Sequence, residues 1–119
     1  LFRSMASRAL QNLKKAGVQD LVEVRIGSAE SLLKEEREIF DFIFMDIDKE
    51  YYIRLLPKLR QIIRPGGFML VDNVAFKDAE EFNHAIAESN EWRNINLLSF
   101  LPEHSPGKDG LCLALATGP

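Results

Sequence analysis

Two apolar runs that each end in an aspartate constrain this chain more than anything else in it. The first is Phe42-Ile43-Phe44-Met45-Asp46, continued by Ile47-Asp48-Lys49. The second is Phe68-Met69-Leu70-Val71-Asp72, with Asn73 directly after it. Short β-prone runs closed by an acid, with a helical stretch between them, predict two parallel strands of an α/β sheet. As neighbours, such strands bring Asp46, Asp72 and Asn73 together at the carboxyl edge of the sheet, where folds of this kind bind ligands. Their oxygens are the hard donors that suit Mg²⁺ or Ca²⁺. Lys49 follows Asp46 closely enough to act on anything held there.

The rest of the chain supports an alternating α/β order. Phe2, Met5, Ala6, Ala9, Leu13 and Ala16 fall at helical spacing, which predicts a helix over 2–16 with Gly17 as its C-cap glycine. Val22-Glu23-Val24-Arg25-Ile26 alternates and predicts a strand, and Gly27-Ser28 turns it into a short helix carrying Leu32 and Leu33. Tyr52, Leu55, Leu56, Leu59, Ile62 and Ile63 form the inner face of a helix between the acidic strands. Pro57 inside that pattern predicts an irregular segment at 49–54, with a regular helix only from there onward. Arg64-Pro65-Gly66-Gly67 is a stop and turn signal. Asp78 with Glu81 predicts a capping pair for a helix through Ser89. Two final strands, 95–101 and 111–116, are joined by the loop 102–110.

Composition sets limits on function. At 119 residues, 46% of them apolar and with a formal net charge of −3, the chain suits one domain with a real core. Mild acidity argues against a surface that holds nucleic acid by bulk charge. The single Cys112 lies between Leu111 and Leu113 and reads as a buried strand thiol. No run approaches the ~20 apolar residues of a membrane span. The expectation is a soluble, cytoplasmic protein without a membrane partner.

Three segments also carry a resemblance. They are Phe40-Asp41-Phe42-Ile43-Phe44-Met45-Asp46-Ile47-Asp48-Lys49-Glu50-Tyr51-Tyr52, then Ile62-Ile63-Arg64-Pro65-Gly66-Gly67, then Val71-Asp72-Asn73-Val74. Together they resemble the cation-dependent O-methyltransferases, the catechol and caffeoyl-CoA O-methyltransferases and their bacterial relatives. Asn12-Leu13-Lys14-Lys15-Ala16-Gly17 is similar to the family's helix after its second strand, and Asp109-Gly110-Leu111 to the start of its last strand. The resemblance implies an α/β, Rossmann-like class I methyltransferase sheet, mostly parallel, with a C-terminal antiparallel hairpin and the first strands absent.

It also implies roles. Asp46, Asp72 and Asn73 would bind the divalent cation, Mg²⁺ or another such as Ca²⁺ or Mn²⁺, and Lys49 would be the catalytic base. Gly27, Ser28, Ala29 and Glu30 match the segment that lines the adenine of the donor, S-adenosylmethionine, and Asp46 also falls on the donor side. The acceptor would be a small hydroxylated aromatic or a hydroxylated tRNA base, and the protein a homodimer. The residue types suit this chemistry. A cation favours ionisation of the acceptor hydroxyl, a lysine beside it is a candidate proton acceptor, and the sulfonium needs mainly in-line alignment.

Relatives also carry an upstream strand, a glycine-rich loop and an acid closing the second strand, and this sequence holds none of them. The expectation is that residues 1–119 are the C-terminal two-thirds of a single methyltransferase domain. Alone they would hold the donor poorly and would self-associate or pair 22–26 against 40–46. Two rival readings differ in class. A phosphoacceptor receiver domain wants an acidic pair near the start, where residues 1–20 offer only Asp20. A catalytically inactive fragment serving as an interaction module would keep the same metal residues. Among the other polar and aromatic residues, Asp48 reads equally as a contact to Lys49 or the substrate side and as a solvated acid, His84 as exposed, Glu103 and His104 as polar loop residues, and Tyr51 and Trp92 as packing.

Overall fold

The computed structural model describes residues 2–103 and 107–118. The chain divides into two compact units, Leu1–Glu35 and Glu36–Pro119.

The first unit holds helix α1 (Phe2–Lys15), a 3₁₀ turn at Gln19–Leu21 and helix α2 (Ala29–Glu35). Helix α1 ends as its sequence predicts. The Gly17 N–H donates to the Lys14 carbonyl at 3.0 Å and the Val18 N–H to the Leu13 carbonyl at 3.1 Å. Gly17 takes φ 71°, the left-handed turn that glycine adopts at least cost. Lys14 and Lys15 add favourable charge at the negative end of the helix. Residues 22–26 correct the sequence expectation, because they form no strand. Val22 is extended, at φ −130° and ψ 123°, so alternation supplies the conformation. A strand also needs a hydrogen-bonding neighbour, and the sheet is built from four later strands only.

The second unit is a mixed four-stranded sheet with two helices on one face. Its elements are β1 (Phe40–Met45), α3 (Tyr52–Ile62), β2 (Ile63–Val71), α4 (Glu80–Glu88), β3 (Trp92–Phe100) and β4 (Lys108–Ala116). The sheet order is β1-β2-β4-β3. β1 and β2 are parallel, whereas β4 runs antiparallel to both β2 and β3. This is the Rossmann-like sheet with its terminal antiparallel hairpin. Because 22–26 does not join it, the parallel part is one strand pair.

Helix α3 starts at Tyr52, directly after a 3₁₀ turn at Lys49–Tyr51, and so takes in part of the segment predicted to be irregular. Pro57 is inside it and exposed; the intrahelical bond it cannot donate is offset by the buried face of Tyr52, Leu55, Leu56, Leu59 and Ile62. Arg64–Gly67 bulges out between two paired positions, Phe40 with Ile63 and Phe42 with Phe68. Gly66 takes φ 74° there. A Cβ on Gly67 would lie 2.9 Å from the Arg64 carbonyl and 3.0 Å from that of Asp41, so only glycine fits. The Asp78–Glu81 capping pair is not formed. A 3₁₀ turn at Lys77–Ala79 makes Ala79 the N-cap of α4, with no side-chain capping bond.

Burial follows the strand period. Met69 pairs with Ala114 and Val71 with Cys112, and all four are fully buried on the face that carries α3 and α4. Burial pushes the Cys112 thiol up to about 11, which keeps it neutral and inert. The opposite face is open. Phe42, Phe44, Phe68, Ile95 and Leu97 are exposed there, the first two by 54% each. The outer edge of β1 has no strand beside it among the described residues. An apolar face next to a bare strand edge drives association. These 119 residues alone should therefore run above monomer mass in light scattering, and Phe42→Lys with Phe44→Lys should return them to monomer. A monodisperse monomer of the unaltered chain would contradict this.

Candidate active site

The site starts from the register of the two parallel strands. Met45 and Val71 are the last paired residues of β1 and β2, and the Asp72 N–H donates to the Met45 carbonyl at 3.0 Å. Asp46 and Asp72 therefore leave adjacent strands side by side, at the carboxyl edge. Asp46 is exposed, whereas Asp72 and Asn73 are half-buried.

Asn73 turns the chain sharply at φ 55°, a conformation that asparagine tolerates better than most residues. Its N–H donates to Asp72 Oδ1 at 2.8 Å, and its side-chain Nδ2 donates to Asp109 Oδ2 at 2.6 Å. Tyr52 lies beneath this edge, fully buried, edge-on to the Phe82 ring at 5.5 Å. Its hydroxyl donates to the Asp72 carbonyl at 2.9 Å. Its phenol is pushed up to about 12, first by burial, then by the negative charges of Asp46 and Asp72 and, more weakly, Asp109. Three carboxylates thus act on one phenol from the same side of the sheet edge.

Lys49 opens the next turn, half-buried, with Nζ 5.5 Å from the centre of the Phe76 ring. A pocket of about 240 Å³ adjoins the edge, with Asp72 and Asp109 at its polar side and Leu97, Leu98, Leu101 and Leu111 as apolar walls.

The donor set suits a hard divalent cation. It comprises two carboxylates on neighbouring strand ends and an amide whose nitrogen is engaged elsewhere, which leaves the oxygen end for a ligand. Among the described residues, no group of three or more His, Cys, Asp and Glu side chains is arranged to hold a metal. A cation here accordingly depends on the Asn73 oxygen.

The structure brings together Asp46, Asp72 and Asn73, with Lys49 on the following turn. Gly27, Ser28, Ala29 and Glu30 belong to the first unit. There Ser28 serves as the N-cap of α2, its Oγ accepting the Ser31 N–H at 3.1 Å. Glu30 stands in the first helical turn, where a negative charge is favoured. Trp92 is buried packing, Tyr51 stacks with the Arg54 guanidinium at 5.0 Å, and Asp48, His84 and Glu103 are exposed. His104 lies outside the described residues. Sequence reading placed Tyr52 on the inner face of its helix and Asp109 at a strand start, and gave neither a part in the site. Asp109 was visible only as part of Asp-Gly-Leu, and its partner is fixed by a strand pairing that no local pattern reveals.

Comparison with known proteins agrees with this architecture. The sequence profile of the family described as O-methyltransferase matches residues 3–100. Tapetum-specific methyltransferase 1 of Arabidopsis thaliana is 31% identical over 86 residues, which cover 69% of this chain and 35% of that protein. Catechol O-methyltransferase of Sus scrofa is 30% identical over 121 residues, covering 96% of this chain and 64% of that protein. The crystal structure of the O-methyltransferase TomG from Streptomyces achromogenes, in complex with SAM, superposes with a TM-score of 0.85. It is 27% identical, with 98% of this chain and 59% of that one covered. The chain belongs to the O-methyltransferase family. It spans less than two thirds of the length of each of these relatives. No helix among the described residues is long and apolar enough to cross a membrane.

Tyr52→Phe tests how the edge is supported. It leaves the Asp72 carbonyl without its buried donor, so the urea midpoint should fall by the equivalent of about 1 kcal/mol. An unchanged midpoint would show that this bond does not hold the edge.

Proposed function

We propose that this chain is the cation- and acceptor-bearing part of an enzyme that transfers a methyl group from S-adenosylmethionine to a hydroxyl of a small aromatic acceptor. The observation that carries the reading is the meeting of Asp46 and Asp72 at one sheet edge, with Asn73 held so that its amide oxygen is available. In this reading residues 1–119 are the C-terminal two-thirds of one methyltransferase domain. The remaining strands and the donor's glycine-rich loop then come from sequence outside this stretch, consistent with the open edge of β1.

Asp46, Asp72 and Asn73 would hold Mg²⁺, Mn²⁺ or Ca²⁺. When bound, such a cation supplies the positive charge that favours the ionised acceptor hydroxyl. Lys49 takes the proton at Nζ, from a turn anchored directly after Asp46 and beside the Phe76 ring. Leu97, Leu98, Leu101 and Leu111 provide apolar walls for a flat acceptor, with its hydroxyl towards Asp72. Gly27, Ser28, Ala29 and Glu30 would line the adenine of the donor, as the family resemblance implies. The donor's sulfonium supplies the leaving group, so the protein's task is alignment.

Calorimetry with Mg²⁺, Mn²⁺ and Ca²⁺, on the protein translated from the whole gene, tests the cation site. Binding should weaken strongly in Asp46→Ala and in Asp72→Ala, and unchanged binding in both would overturn the assignment. Lys49→Ala should lower turnover by about a hundredfold, the usual scale for loss of a general base, while donor affinity is retained. A wild-type rate at saturating acceptor would remove Lys49 from the mechanism.

A further inference from the structure

The two ends of an asparagine amide are nearly identical in shape and opposite in chemistry. Only the oxygen end can serve a cation, so a ligand asparagine needs something to fix its orientation. Asn73 has that partner. Its Nδ2 donates to Asp109 Oδ2 at 2.6 Å, and an ionised carboxylate can only accept. The contact is favourable in one orientation alone, with Oδ1 turned away from Asp109.

Asp109 is itself held. Its Oδ1 accepts the Gly110 N–H at 2.7 Å, and the Val74 N–H donates to the Gly110 carbonyl at 3.0 Å. The start of β4 and the turn after β2 are thus joined through both backbone and side chain. From the other side, the Asn73 N–H is bound to Asp72 Oδ1 at 2.8 Å.

We infer that Asp109 is a positioning residue of the cation site, fixing which end of the Asn73 amide is presented beside Asp46 and Asp72. The role rests on the cation reading proposed above. It has an unusual consequence for the mildest substitution. In Asp109→Asn the Gly110 N–H still requires the one remaining oxygen, so the new NH₂ group faces Asn73. Asn73 must then turn its own oxygen towards that group, and its nitrogen end towards the cation. Asp109→Ala removes the restraint without imposing the wrong orientation.

Mn²⁺ affinity, measured by calorimetry on the protein translated from the whole gene, distinguishes the possibilities. Asp109→Asn should weaken binding by about 10–100-fold, the usual effect of losing a group that orients a metal ligand. Asp109→Ala should weaken it less. In an Asn73→Asp background both ends of the side chain are oxygen, so adding Asp109→Asn should cause no further loss, and it removes a like-charge clash. That double variant keeps a hydrogen bond between the two positions with donor and acceptor exchanged, so a loss seen only in Asp109→Asn alone reports the orientation of the Asn73 amide and not a broken tie. A larger loss in Asp109→Ala than in Asp109→Asn, or a loss that persists in the Asn73→Asp background, would reduce Asp109 to a structural tie. Wild-type affinity in Asp109→Asn, with binding abolished in Asp72→Ala, would overturn this role and leave the cation site standing. Equal Mn²⁺ binding by wild type and Asp72→Ala would remove the cation site, and the role with it.

Discussion

The parallel pairing of β1 with β2 is the constraint on which the site depends. Its last step, the Asp72 N–H on the Met45 carbonyl, sets two aspartates level at the end of neighbouring strands. A slip of one residue would turn each run over and send its buried side chains to the open face. The register is held because one face is fully committed. Met69, Val71, Cys112 and Ala114 are buried under the helices, and a one-residue slip of either strand does not keep all four there. Core packing and site geometry are therefore one requirement. The residues that choose the register are apolar, and the residues that benefit from it are the acids just beyond them.

Much of this was legible in the sequence because it is local. An apolar run closed by an acid marks a strand end, a 3.6-residue period marks the face of α3, and Gly17 marks the end of α1. What was not legible depends on partners. Residues 22–26 alternate like a strand yet remain unpaired, because alternation fixes side-chain direction and not hydrogen-bonding neighbours. Asp78 and Glu81 have the spacing of a capping pair, but the 3₁₀ turn at Lys77–Ala79 moves the helix start past Asp78. Arg64-Pro65-Gly66-Gly67 reads as a turn and is one, although it bulges from within β2 without ending it. Ser28, singled out for a ligand, also has a structural use as the cap of α2.

Asp109 shows the same limit inside the site. It lies far from Asn73 in sequence and beside it in space. Two antiparallel pairings, β2 with β4 and β3 with β4, bring it there. The hairpin thus does more than close the sheet. It delivers a carboxylate to the carboxyl edge of the parallel pair from the opposite chain direction, where β4 begins as β2 ends.

The electrostatics of that edge follow from the arrangement. Asp46, Asp72 and Asp109 all raise the phenol of Tyr52, so their fields overlap on a buried group that stays neutral and donates to the Asp72 carbonyl. At this edge the carboxylates of Asp72 and Asp109 accept N–H groups, Asp72 from Asn73, and Asp109 from Gly110 and Asn73. The nearby Lys49 faces an aromatic ring instead. Backbone and amide donors orient carboxylates without cancelling their charge, so the edge is rigid and still negative. A salt-bridged edge would be equally rigid and would have no remaining charge to offer a ligand. That retained charge is what the proposed cation site requires of its acids.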